Sequence, residues 1–166
     1  MNDAHLHMIV NHFPIIGTIF GLGVLIAGIA LKNKTIKNTA YSLFVIAAIF
    51  AAVSMGTGDG AEEMVEDIPN IGRKIIHNHE EMAEKLAIVL YLLGVISLIG
   101  VYTNIKNHSK AGLVSLIALI ISLGSVFLAK ETGTSGGEIR HTEIRPNTTL
   151  IGTNEKSFPE NEIDED

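Results

Sequence analysis

The sequence predicts an all-α integral membrane protein: a four-helix bundle with both termini outside, a short interfacial helix between the second and third spans, and a disordered acidic C-terminal tail. Three observations predict it. Of 166 residues, 47% are hydrophobic and only 18% charged, with a mean hydropathy of +0.35. That is too apolar for an ordinary soluble domain and too short for two domains. Four stretches, 8–31, 38–58, 86–105 and 111–129, contain no Asp, Glu, Lys or Arg. Each is close to the roughly 20 residues that a helix needs to cross about 30 Å of hydrocarbon. The third observation is the sorting of charge: Lys32, Lys34, Lys37, Lys106 and Lys110 occupy two short loops that hold no acid. All eighteen Asp and Glu residues lie in the N-terminal lead, the central loop or the tail. Basic short loops mark the cytoplasmic side, which puts both termini outside.

The domain therefore covers 1–146, with spans at about 14–31, 39–57, 83–104 and 111–129, and the polar tail covers 147–166. The first span is expected to stay in the mature protein, because no basic region precedes it and Lys32-Asn33-Lys34 follows it rather than a cleavage site of small residues. In Asn11-His12-Phe13-Pro14 the proline suits the first helical turn, which places His12 on the lip of that helix. Gly17 with Gly21, Ala47 with Ala51 and Ala48 with Ala52 stand four apart, a spacing that lets helices approach closely in lipid.

In the central loop, Asp59 and Glu62 resemble a capping box, and Ala61, Met64, Val65 and Ile68 recur on one face before Pro69. This predicts the interfacial helix. Beyond it, Ile71, Ile75, Ile76, His79, Met82, Ala83 and Leu86 keep helical spacing, so the third helix is expected to begin ahead of its span. After the fourth span, Gly133, Gly136 and Gly137 allow a sharp turn. If the segment beyond is extended, Ile139, His141 and Glu143 share a face and His141 folds back over the bundle. The alternative is a glycine-rich exit loop with a mixed-charge surface.

Composition removes several chemistries. With no Cys there are no disulfides, thiolate metal sites, Fe–S clusters or c-type haem attachments. A net charge of −6 argues against nucleic acid. No span carries a charge that would mark a transport path. No Gly-x-Ser-x-Gly elbow, phosphate loop or His-Glu-x-x-His pattern occurs, and no catalytic residue is singled out.

The histidines carry the functional signal. Of seven, the topology puts six outside: His5, His7, His12, His77, His79 and His141, leaving His108 inside. His12, His79 and His141 lie at the outer ends of three different helices. Neutral imidazole binds haem iron, copper or zinc through one nitrogen while the other is oriented by a neighbour. The preferred ligands are His7, His12, His79 and His141, with His5, His77, Glu62, Glu63, Glu80 and Glu143 as the second set. His79 outranks His77 because it aligns with the apolar Ala83, Leu86 and Leu90, whereas His77 aligns with Glu81 and Glu84. Arg140 and Arg145 are candidates for haem propionates or for the acidic interfacial helix.

Four segments together carry a resemblance: His7-Met-Ile-Val-Asn-His12-Phe-Pro-Ile, Gly58-Asp-Gly-Ala-Glu-Glu-Met-Val-Glu66, His79-Glu-Glu-Met-Ala83 and Gly136-Gly-Glu-Ile-Arg-His141. Over residues 5–145 the chain resembles a family of small bacterial four-helix membrane proteins of unknown function that open with His-x-x-x-x-His-Phe-Pro. It departs at Met8, where the family often has Pro, and at Thr142, where it often has Gly. The resemblance implies a multi-pass protein of a bacterial membrane; with the lysine loops on the cytoplasmic side of the inner membrane, the histidines are expected on the periplasmic side.

Three functions are open. The first is a membrane electron-transfer protein holding haem b by two histidines between helices. The second is a non-haem iron, copper or zinc site built from the same histidines and nearby carboxylates. The third is a cofactor-free accessory subunit of a larger envelope or respiratory complex, or a homo-oligomer, which needs only packing faces. In each, the lipid bilayer is a partner.

Overall fold

A computed structural model describes residues 2–66 and 71–145. Helices α1 (Asp3–Val10), α2 (His12–Ala30), α3 (Lys34–Glu63), α4 (Arg73–Ile105) and α5 (Ala111–Arg140) are followed by a short 3-10 turn, Thr142–Ile144. No strand occurs among the described residues. The expected disordered tail, 147–166, lies outside them.

Helices α2 to α5 form an antiparallel ring in which each packs on its chain neighbours and α5 closes onto α2, while α1 lies mainly on α3. All four are long and apolar enough to cross a membrane. Helix α1 starts where the Asn2 side chain accepts from the His5 N–H at 3.0 Å, a cap worth about 1 kcal/mol. It is separated from α2 at Asn11 because Pro14 has no N–H for the Val10 carbonyl and its ring would strike that oxygen.

One chemistry closes both lysine-bearing turns. Lys32 and Asn107 adopt φ near +50°. The following residues, Asn33 and His108, donate back to the carbonyls of Gly28 and Thr103 at 2.9 Å, which ends each helix in a Schellman motif. Asn33 then caps α3 by accepting from the Ile36 N–H at 3.1 Å. Lys34 donates to Asn107 Oδ1 and links the two turns. Just inside them Asn104 donates to Asn38 at 2.8 Å and Tyr41 to Ser115 at 2.9 Å.

The bundle is small within and large without. On α5 the buried positions are Ser115, Ala118, Ser122, Ser125, Ala129 and Thr132, a seam of alternating three and four steps with no large side chain. Into the space this leaves pack Leu25, Tyr41, Phe44, Leu90 and Leu93. Gly21 lies under the Phe44 ring and Gly100 under Tyr41, where a Cβ would come within 2.5 and 2.6 Å. The outer surface exposes Ile19, Phe20, Ile49, Ile88, Leu98, Ile120 and Phe127. Such a surface suits lipid, where close packing rather than apolar burial joins helices.

Two expectations are corrected. The segment 59–63 is no separate interfacial helix but the last turn and a half of α3, so Asp59 and Glu62 do not start a helix; Ile68 and Pro69 lie outside the described residues. Gly60 costs helix propensity there, but it lets α1 approach: Asp3 lies against it, where a Cβ would meet the Asp3 carboxylate at 2.5 Å. Tertiary packing offsets the propensity. Likewise α5 does not stop at Gly133 but continues to Arg140, so 139 and 140 are helical rather than extended. Thr132 donates to the Met82 carbonyl at 3.1 Å and binds this stretch to α4. The chain does turn back after His141, but the side chain that returns to the helix is Ile144, against Gly137.

Candidate functional site

The end of the bundle away from the lysines gathers α1, the end of α3, the start of α4 and the end of α5. Its inward groups are two histidines. His7, on α1, places Nδ1 3.1 Å from both the Ser54 carbonyl and Thr57 Oγ1 of α3. A carbonyl only accepts, so Nδ1 carries the proton and Nε2 keeps a lone pair. His79, on α4, places Nδ1 3.0 Å from Ser135 Oγ of α5. That hydroxyl donates to the Thr132 carbonyl at 3.0 Å, so it accepts from the ring.

Both rings are half-buried and sit on helical extensions beyond the charge-free stretches. Burial lowers the pKa of His7 against the pull of the Ser54 carbonyl. Burial also lowers that of His79, a charge on His7 adds to the lowering, and the Thr132 carbonyl opposes it. Two half-buried imidazoles with hydrogen-bonded Nδ1 atoms therefore occupy the same end of the bundle. Glycine borders each, with Gly58 4.0 Å from the His7 ring and Gly136 2.9 Å from the His79 ring, measured from the Cβ each lacks.

The other candidates go elsewhere. His12 is exposed on the first turn of α2 and donates Nδ1–H to the Met8 carbonyl at 2.8 Å. His141 is exposed and contacts Glu143 at 2.8 Å. The backbone of Glu143 and then this imidazole hold its carboxyl below the ordinary value. His77 is 65% exposed and lies 3.4 Å from both Glu80 and Glu81. The His5 side chain is exposed, as is Glu63, while Glu62 is half-buried at the end of α3. Arg140 is exposed on the last turn of α5, and Arg145 donates to the Glu138 and Ile139 carbonyls, capping that helix. Among the described residues no three His, Asp or Glu side chains come together so as to hold a metal ion.

What the sequence did not mark is the anchoring of the rings. Ser54 and Thr57 share a helix face by their spacing, but nothing local couples them to His7, 47 and 50 residues away. Ser135 is a similar case, 56 residues from His79. No protein-family model, no curated protein and no solved structure matches the chain.

Proposed function

We propose that the chain is a membrane electron-transfer protein that holds a b-type haem between His7 and His79 at the outer face of a bacterial inner membrane. The observation that carries this is that His7 of α1 and His79 of α4 lie half-buried at the same end of the bundle, each with Nδ1 hydrogen-bonded to a neighbouring helix. Haem iron takes two axial nitrogens from a protein, whereas non-haem iron or zinc takes three or more side-chain ligands. The donor set thus fits haem better than the carboxylate-assisted alternative. Bound haem would supply one-electron transfer.

The chain's own part is to present and tune the two ligands. Hydrogen bonds from Nδ1 to Ser54, Thr57 and Ser135 fix ring orientation and tautomer and raise the basicity of Nε2. Half-burial keeps both rings unprotonated and available near neutral pH. Arg140 offers an exposed cation for propionates at the end of α5. The lysine-rich turns at the opposite end support the outward orientation, and the family resemblance of residues 5–145 agrees with a bacterial envelope location.

The test is a visible spectrum of protein purified in mild detergent from haem-replete cells, oxidised and dithionite-reduced. The expected result is a Soret band with α and β bands on reduction, lost in His7→Ala and His79→Ala and kept in His12→Ala and His141→Ala. A flat spectrum from folded protein would overturn the haem reading. Elemental analysis of the same sample would then separate a metal site from a cofactor-free subunit, for which the small-residue seam of α5 alone would be reason enough.

A further inference from the structure

At the lysine end, between the last turn of α2, the first turns of α3 and the first turns of α5, lies a cleft of about 290 Å³. Lys32, Lys34 and Lys37 line its mouth, and Ile29, Leu116 and Leu119 line its wall. The lysines differ in how far they are satisfied. Lys34 donates to Asn107, and Lys37 reaches Ser115 Oγ at 3.5 Å. For the Lys32 ammonium the structure gives no partner among the described residues. None of them meets a carboxylate: no Asp or Glu occurs at 4–58 or 85–130, so this whole end of the bundle has no internal counter-charge. Its two turns together carry five lysines.

The position of this charge matters as much as its sign. Lys32 follows the first charge-free stretch and Lys37 precedes the second, so the ammonium groups stand at the depth where hydrocarbon gives way to headgroups. Below them the wall is mainly aliphatic, formed by Ile29, Leu116 and Leu119 beside the single hydroxyl of Ser115, with Leu116 51% exposed. A phosphate joined to an acyl chain matches both halves. Free phosphate has no use for the wall, and a neutral lipid none for the lysines.

We propose that this cleft binds one anionic phospholipid, its phosphate among Lys32, Lys34 and Lys37 and an acyl chain along Leu116 and Leu119. Basic clefts between helices at a membrane surface recognise anionic headgroups by this arrangement. The site is independent of the histidine end, and its test uses no haem signal.

Native mass spectrometry of the detergent-solubilised full chain, offered equal amounts of phosphatidylglycerol and phosphatidylcholine with matched acyl chains, tests it. The expected result is one retained phosphatidylglycerol, favoured by about tenfold. The preference falls to near unity in the Lys32→Gln, Lys37→Gln double variant and persists in the Lys106→Gln, Lys110→Gln double variant, which removes the same charge outside the cleft. Circular dichroism and elution volume show that both variants are folded. Equal retention of the two lipids would overturn the proposal. An equal loss in both double variants would overturn it too, by tracing the preference to general surface charge. A third arm adds millimolar inorganic phosphate: retained lipid supports a lipid site, and complete displacement would mean that the cleft reads the anion alone.

Discussion

The imidazole of His79 rests on the backbone of Gly136, so closely that a Cβ at 136 would stand 2.9 Å from its Cε1. The contact joins α4 to α5 at the same point where His79 is bonded to Ser135. Gly136→Ala would therefore push the ring off its anchor. The expected cost is about 1–3 kcal/mol, the range for overpacking a fitted site. Gly23→Ala is the control, since nothing lies within 4 Å of a Cβ there and alanine is the better helix former. Thermal unfolding in detergent should show a lower Tm for the first and an equal or higher one for the second. Two unchanged midpoints would mean that the ring moves freely.

The Asn38–Asn104 pair should be energetically coupled. Asn104 Nδ2 donates across α3 and α4 at 2.8 Å, while Asn104 Oδ1 is buried with no partner among the described residues. A double-mutant cycle to alanine should give a coupling of about 0.6 kcal/mol, the average for side-chain bonds in membrane helices. Strict additivity of the two single variants would count against the bond.

Acid should destabilise the fold. In the unfolded chain His7 and His79 titrate near 6.5, and in the fold burial lowers both, with His7 adding to the lowering at His79. Below 6.5 the unfolded chain therefore binds protons that the folded chain refuses, and stability drops until the folded values are also passed. Above that window both states hold neutral rings and this dependence vanishes. Unfolding midpoints taken from about pH 7.5 down to about 5 should fall. In His79→Gln the fall should be shallower, and an identical slope would place the acid sensitivity in other groups.

Orientation is open to a direct measurement. Helices α2 to α5 alternate, so the first and last described residues lie at the same end of the bundle, opposite the lysine turns. A protease site appended to the C-terminus should be cut from outside intact cells. Protection there, with cleavage after lysis, would reverse the topology and put the histidine pair on the cytoplasmic side.

Much of the helical layout could be read locally. The charge-free stretches lie within α1 with α2, α3, α4 and α5, because the length needed to cross hydrocarbon leaves little freedom once charged residues are excluded. The errors fell on glycine-rich ends. Asp59 and Glu62 read as the start of a helix and Gly133, Gly136 and Gly137 as a turn, yet both segments continue the preceding helix, with Asp3 packed on Gly60 and His79 on Gly136. Propensity is worth about 1 kcal/mol per glycine, which such packing readily offsets.

At the site, the residue types were legible and their grouping was not. That imidazole is the candidate ligand follows from composition, with no cysteine and no charge within the spans. So does the ranking of His79 over His77, since helical period alone turns one toward apolar neighbours and the other toward acids. Which other histidine of that end is half-buried was decided by tertiary structure. Packing of α1 on α3 brings His7 to Ser54 and Thr57 while leaving His12 on the surface. The physical reason is one of range. Hydrophobic period and helix stops act over a few residues and are written in local order, whereas the bonds of His7 to α3 and of His79 to α5 depend on how helices far apart in the chain settle against one another.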